Sequence, residues 1–251
     1  MNDSRAHAHA LALTSEERQR LWPNVRPRDA ATLIIIDRTG PVPTVLMGKR
    51  HHAHKFMPGK FVFPGGRIEL SDTRMPVALG LQPAVEGRLL KSLRSGNNSL
   101  HRGRTLALAA LRETFEETGV LIGVKADKPA KPVPDGPWSR FVEQGVVPDL
   151  SHLHFIARAI TPPRRPKRFD ARFFAVDARH IAKRLDNIIG LDTELVDLVW
   201  QPMDKITELD LPSITKVVLK ELDARAAAGF GHELATPFYH EQHRRWQRDE
   251  L

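Results

Sequence analysis

The sequence predicts an α/β fold, a mixed sheet packed between helices, and three observations carry that prediction. Residues 31–36 form an apolar run that ends in Asp37-Arg-Thr-Gly40, as a buried strand entering a turn would. Residues 104–118 place Leu108, Leu111 and Phe115 at helical spacing, and Gly119 supplies a C-terminal stop. Further along, three strand-like stretches stand between helical ones, the interleaving that builds layered α/β domains.

The elements follow in order. Residues 1–28 are polar, with a short helix expected over 14–21 behind Ser15-Glu-Glu. Residues 43–49 complete a hairpin with 31–36, and residues 60–64 form a short strand that runs into Gly65-Gly66. Residues 73–104 are interrupted by Pro76, Gly80, Pro83, Gly87 and the turn cluster Ser95-Gly-Asn-Asn-Ser99, leaving room for one short helix over 84–93. Residues 125–137, rich in Pro and Lys, read as a surface loop. Strands are expected at 152–160, 172–176 and 194–200, then a short helix at 202–209. Ser213 is the expected cap of a last long helix through Ala228, with Gly229 as its stop. Residues 232–251 read as a polar tail draped over the surface. The chain therefore divides into an extension (1–29), one domain (30–210) with an insertion at 73–104, and a C-terminal helix and tail (211–251) packed on the same domain.

Composition narrows the function classes. The sequence has no Cys, which excludes disulfides, thiolate metal sites and cysteine nucleophiles and suits a reducing cytoplasm. No stretch approaches the ~18 apolar residues of a membrane span, and residues 1–10 lack the apolar run of a secretory signal. A cytoplasmic protein with no membrane partner is the expectation. The 38 Lys and Arg against 30 Asp and Glu give a net charge of +8, which favours anionic ligands. Nucleic acid fits poorly: there is one Tyr, and no stretch interleaves aromatic with basic residues as a stacking platform would. The state of assembly, monomer or homodimer, is left open.

The chemistry concentrates in Arg112-Glu-Thr-Phe-Glu-Glu-Thr-Gly-Val120. Glu113, Glu116 and Glu117 stand at i, i+3 and i+4, so a helix puts them on one face with Cβ atoms ~5–6 Å apart. Like charges so placed oppose the helix unless they are compensated, and a hard divalent cation compensates them directly. A solvated acidic face is the alternative. Against it stand the apolar opposite face and the upstream turn Phe63-Pro-Gly-Gly66, whose glycines allow close backbone approach.

With Gly66, five intervening residues and the acidic Asp72, this segment resembles the Nudix box: Gly, five residues, Glu, seven residues, Arg-Glu, an aliphatic, any residue, Glu-Glu, any residue, Gly, an aliphatic. Three departures stand out. Asp72 replaces a Glu, Thr114 replaces an aliphatic, and 39 residues (73–111) stand where the pattern has seven, an excess of 32. Loop-closure entropy grows slowly with length, so such an insertion is tolerable. The resemblance implies a Nudix-type α/β/α sandwich with a mixed sheet and a Mg²⁺- or Mn²⁺-dependent diphosphohydrolase. It implies that Glu113, Glu116 and Glu117 ligate metal near the Gly65 carbonyl, with Arg112 bracing them, and that these four side chains carry catalysis. Glu194, six residues before Trp200, matches the later glutamate that many family members add as a ligand; a surface strand position is its alternative. For the base that takes the proton of the attacking water, Glu116, Glu194, His152 and His154 are the candidates.

The stretch Leu46-Met-Gly-Lys-Arg50-His51, then Lys55, Gly59 and Phe63-Pro-Gly-Gly66, resembles the lead-in of the coenzyme A diphosphatase branch. It implies a nucleoside diphosphate derivative such as coenzyme A or acyl-coenzyme A as the small-molecule partner, met by Arg50, Lys55 and Gly66. The basic run Arg164-Arg-Pro-Lys-Arg168 is a second anion contact or a plain basic loop. Hydrolysis of ADP-ribose, nucleotide sugars or capped RNA, or binding without catalysis, are the rival functions; the intact glutamate trio speaks against the last. The insertion, with Arg88, Lys91, Arg94, Arg102 and Arg104 against Glu86, is expected to act as a lid that reads the substrate beyond its diphosphate, or else to be a neutral elaboration.

Overall fold

The computed structural model describes Leu13 and residues 21–53, 57–93, 100–126, 131–190 and 193–251. Lys55, Arg94 and, except for Leu21, the helix expected over 14–21 lie outside these residues.

The architecture begins with β1 (Arg28–Asp37), which pairs antiparallel with β2 (Thr44–Arg50) and parallel with β8 (Phe169–Asp177). Ala31, Leu33 and Ile35 of β1 enter one core, and Ile34 and Ile36 enter another on the opposite face. This explains the unbroken apolar run, because a central strand covered on both faces has no solvent side to make polar. Among the described residues the main sheet has the order β10-β2-β1-β8-β7-β11-β12, where β7 is His154–Ile160, β10 Leu195–Pro202, β11 Pro237–Gln242 and β12 Arg245–Glu250. Two short strands flank it: β3 (Phe61–Val62) on β2 and β4 (Gly65–Arg67) on β1.

Among the described residues, five α-helices complete the sandwich: α1 (Leu70–Arg74), α2 (Pro83–Ser92), α3 (Leu100–Thr118), α4 (Pro137–Val142) and α5 (Ser213–Ala227). The long α3 covers one face of β1 and β4, with α1 and α2 packed on it, while α5 covers the other face through Val217, Val218 and Leu222. Gly119 ends α3 with φ +71° and donates its N–H to the Phe115 carbonyl. Among the described residues no helix is long and apolar enough to cross a membrane.

Several expectations need correction. Residues 237–250 form the hairpin β11–β12, and β11 pairs parallel with β7, so the segment is sheet and not a draped tail. Its turn holds His243 and Arg244 at φ +49° and +64°, the left-handed pair of a two-residue hairpin, without the Asn-Gly or Asp-Gly that signals one. A second sheet, β6 (Val146–Pro148), β5 (Val120–Lys125) and β9 (Ile181–Arg184), was not anticipated. Ser213 is the first residue of α5; Pro212 holds the cap position, with no side-chain cap bond.

The insertion is largely core. Met75, Leu81, Val85, Leu89 and Leu93 are buried in the core under α3, and α2 packs on α3 and β7. Its cations are mostly spent on structure: Arg88 donates to the carbonyls of His232 and Glu233, Arg104 to that of Met75, and Arg102 pairs with Asp29. A lid with a free basic field does not describe residues 75–93. Hydrophobic burial decides their position.

Candidate metal centre and substrate cleft

The glutamate face of α3 is aimed by what lies behind it. Leu108, Leu111 and Phe115 are buried on the opposite side, fixing the helix in rotation. Thr114, where the Nudix pattern has an aliphatic, is fully buried; its hydroxyl donates to the Ala110 carbonyl at 2.8 Å, so the polar atom is satisfied inside the helix.

Arg112 is the hub. Only 1% exposed, it donates Nε to Asp72 at 2.8 Å, Nη2 to the Arg67 carbonyl at 2.8 Å and Nη1 to Glu116 at 2.7 Å, and Nη1 lies 3.0 Å from Glu113. Burial works against its charge, yet Asp72, Glu113 and Glu116 together hold its pKa above the usual value. Asp72 is fully buried and also accepts from Trp138 Nε1 at 2.9 Å and the Glu69 N–H at 2.8 Å. Thus the acidic residue before the insertion and the arginine after it are joined directly.

Glu117 accepts the Gly65 N–H at 3.1 Å. A side chain at Gly65 would meet the Ala31 carbonyl at 2.5 Å, and one at Gly66 would meet the Glu113 carboxylate at 2.3 Å, so both positions require the missing Cβ. Glu194 lies just before β10 and pairs with Arg50 at 2.6 Å. Burial, together with Glu194 and Glu113, raises the Glu117 pKa well above normal. Burial likewise lifts Glu113 to about 7; Arg112 opposes this, while Glu116 and Glu194 add to it.

Three carboxylates from α3 and the β10 approach are therefore crowded and mutually repelling. As the side chains stand, no three acidic or histidine groups among the described residues converge on one point. Arg112 draws Glu116 and Glu113, while Arg50 draws Glu194. The donor set nonetheless suits a hard divalent cation: it is all oxygen, acceptor-only when ionised, and under-neutralised at Glu113 and Glu117.

Glu113, Glu117 and Glu194 line a cleft of about 400 Å³ together with Arg50, Gly65, Gly66 and Arg67. Its lining also includes the apolar Phe63, Phe173, Ile214 and Trp246, and Arg165 and Lys167 from the loop between β7 and β8. The basic run 164–168 thus divides. Arg165 and Lys167 face the cleft, whereas Arg168 is structural, donating to the Thr161 and Val25 carbonyls and to Asn24.

His152 and His154 are misplaced as bases. They lie at the start of β7, and the cleft touches its other end, roughly 20 Å away at ~3.3 Å per residue. His154 instead stacks on His232 at 4.0 Å, and His152 on His180 at 3.7 Å. The sequence reading missed Trp138, Trp246 and Arg67. Arg67 could have been found, because it directly follows Gly65-Gly66; the tryptophans reach the site only through tertiary packing.

No family model matches the chain. A crystallised Nudix hydrolase from Alicyclobacillus acidocaldarius is 30% identical, with a TM-score of 0.56 over 80% of this chain and 92% of that one. The chain belongs to the Nudix hydrolase family. Two curated Nudix relatives match in part. One is an acyl-coenzyme A diphosphatase of Xenopus laevis, 33% identical over 133 residues, 39% of this chain and 35% of that protein. The other is a Caenorhabditis elegans protein named nudix hydrolase 7, 27% identical over 159 residues, 59% of this chain and 43% of that protein. The matches span less than half the length of these curated Nudix proteins.

Proposed function

We propose that the protein hydrolyses the diphosphate linkage of a nucleoside diphosphate derivative, with coenzyme A or an acyl-coenzyme A as the preferred class. The observation that carries this is the cleft itself, which is lined at once by crowded carboxylates, by cationic side chains and by apolar rings. A bare acidic face would not be faced with guanidinium groups and backed by aromatic rings.

Glu113, Glu116, Glu117 and Glu194, with the Gly65 carbonyl, are the groups that would hold Mg²⁺ or Mn²⁺. Bound there, the cation neutralises diphosphate oxygens and lowers the pKa of a water. Arg112 fixes Glu116 and Glu113 in place, and the Gly65 N–H orients Glu117. Arg50, Arg165 and Lys167 meet phosphate oxygens from the cleft wall. One water oxygen adds to phosphorus, the bridging P–O bond breaks, and the leaving phosphate departs as an anion. A carboxylate of the cluster takes the water's proton; Glu194, which lines the cleft, is better placed for this than Glu116, which is held by Arg112. The aromatic wall favours an organic arm beyond the diphosphate, which agrees with the partial likeness to an acyl-coenzyme A diphosphatase.

The test is product chromatography over coenzyme A, acyl-coenzyme A, ADP-ribose, a nucleotide sugar and capped RNA, with Mg²⁺ and with Mn²⁺. Coenzyme A derivatives should show the highest kcat/KM and release a 4′-phosphopantetheine product. Preference for another member would reassign the substrate, and cleavage of none would leave a binding module.

A further inference from the structure

A second cleft, about 560 Å³, adjoins the first and shares Glu113 and Arg67 with it. Its walls come from the segment before β1, from β4, from β8 and from the insertion, which contributes Leu93 and Arg102. We infer that Arg26, Arg28 and Arg67 in this cleft form a second anion site, which takes a phosphomonoester carried by the substrate apart from its scissile diphosphate.

The charge pattern supports this. The cleft's acidic residues from β1 and β8 are already neutralised: Asp29 pairs with Arg172 at 2.6 Å and with Arg102, and Asp170 pairs with Arg158 at 2.7 Å. Glu69 leans toward Arg112, 3.8 Å away. Arg26, Arg28 and Arg67 make no ion pair with a described residue, so their guanidinium groups are available to a ligand. Three forks suit the several oxygens of a phosphate dianion, which each can engage in paired hydrogen bonds.

The segment is also held in place. The Arg28 N–H donates to the Arg168 carbonyl at 3.0 Å, and the Arg168 side chain pins Asn24 and Val25. Arg67 projects from a residue whose carbonyl is bound by Arg112. The second site is therefore keyed to the same guanidinium that orders the glutamates. A ligand with its diphosphate at Glu113 and Glu117 can send one arm along the apolar wall and another into the arginine cleft, which is large enough for a phosphorylated sugar.

This inference rests on the diphosphatase reading for its catalytic arm only, and two measurements separate the two. The first compares KM for coenzyme A and for its 3′-dephospho form, which differ by one phosphomonoester. Wild type should favour coenzyme A by ~10-fold or more, and Arg26→Gln/Arg28→Gln should bring the ratio of KM values close to one. The second is calorimetric titration of adenosine 3′,5′-bisphosphate and of AMP without metal. Wild type should bind the bisphosphate ~10-fold more tightly, and the variant should bind both alike. If neither coenzyme A form is cleaved, the diphosphatase reading fails and the titration still decides the anion site. Equal discrimination by wild type and variant in the titration, or none in wild type, would overturn the inference. The more conservative Arg26→Lys/Arg28→Lys should keep part of the preference; loss as complete as with glutamine, at an unchanged melting temperature, would confine the role to guanidinium forks.

Discussion

Two groups of ionisable side chains lie at opposite ends of the main sheet and meet burial in opposite ways. At one end, Glu113, Glu117 and Glu194 crowd together, yet they open on a cleft and stand beside Arg112 and Arg50. At the other, His152, His154, His180 and His232 stack in two parallel pairs, with Phe230 4.2 Å from His154. Their charged neighbours include Arg38 and Arg225 as well as one another, and the buried Nδ1 atoms of His154 and His232 have no hydrogen-bond partner. Like charge held near solvent and paired arginines can be compensated by a cation. Charge placed among rings and arginines cannot: burial first lowers the pKa of His154, His180 and His232, and these rings serve as packing. Burial and crowding alone do not mark a functional site; access and available counter-charge do.

The comparison breaks most severely at Arg112. Arg112→Ala would leave Asp72 buried with only Trp138 and a backbone N–H as donors, and it would release Glu116 and Glu113. Removing one partner of a buried pair costs roughly 3–5 kcal/mol, so chemical denaturation should show a loss of that order along with lost activity. Stability within ~1 kcal/mol of wild type would show that the hub is dispensable.

Glu117→Gln should separate chemistry from folding. Glutamine keeps an oxygen to accept the Gly65 N–H but lacks the charge. Turnover should fall by at least ~10²-fold with the melting temperature nearly unchanged, as loss of one anionic ligand would produce. A near wild-type rate would remove Glu117 from the catalytic set.

His154 gives the smallest effect and the sharpest contrast. Burial first, then His232, Arg225, Arg38 and His152, lower its pKa from 6.5 to about 3. The unfolded chain therefore binds this proton at a higher pH than the folded one. The stability involved is fully present above about 6.5 and is lost as pH falls through the window toward about 3. At pH 5 the loss amounts to about 2 kcal/mol. His154→Phe, which keeps the stacked ring, should match wild type at pH 8 and exceed it at pH 5 in urea denaturation. Parallel pH profiles for the two proteins would refute a neutral, packing histidine.

The parts of this arrangement that were legible in sequence are local. The apolar run of β1, the face of α3 and the stop at Gly119 each follow from spacing within a single element. The glutamate trio was visible for the same reason. What escaped depends on partners distant in the chain. Nothing near Asp72 announces Trp138, and nothing near Arg50 announces Glu194, 144 positions away. The β11–β12 hairpin was hidden because His243 and Arg244 occupy left-handed positions usually marked by Gly or Asn. The charge of the insertion is not readable as a free field, because hydrogen bonds to carbonyls and Asp29 commit Arg88, Arg102 and Arg104.

The bond between Asp72 and Arg112 also ties the centre to the segment that interrupts it. It closes a segment of 39 residues where the family pattern closes seven, which adds about 1.5 kcal/mol of closure entropy by the logarithmic law. Burial of Met75, Leu81, Val85, Leu89 and Leu93 against α3 offsets that cost many times over, at ~1.5–3 kcal/mol per large apolar side chain. Those contacts place the intervening segment on the helix, so the geometry of Arg112 and the glutamates that it holds depends on the packing of the insertion. The reactive centre of this chain is therefore completed by a segment inserted between its own parts, although its most recognisable residues are adjacent in sequence.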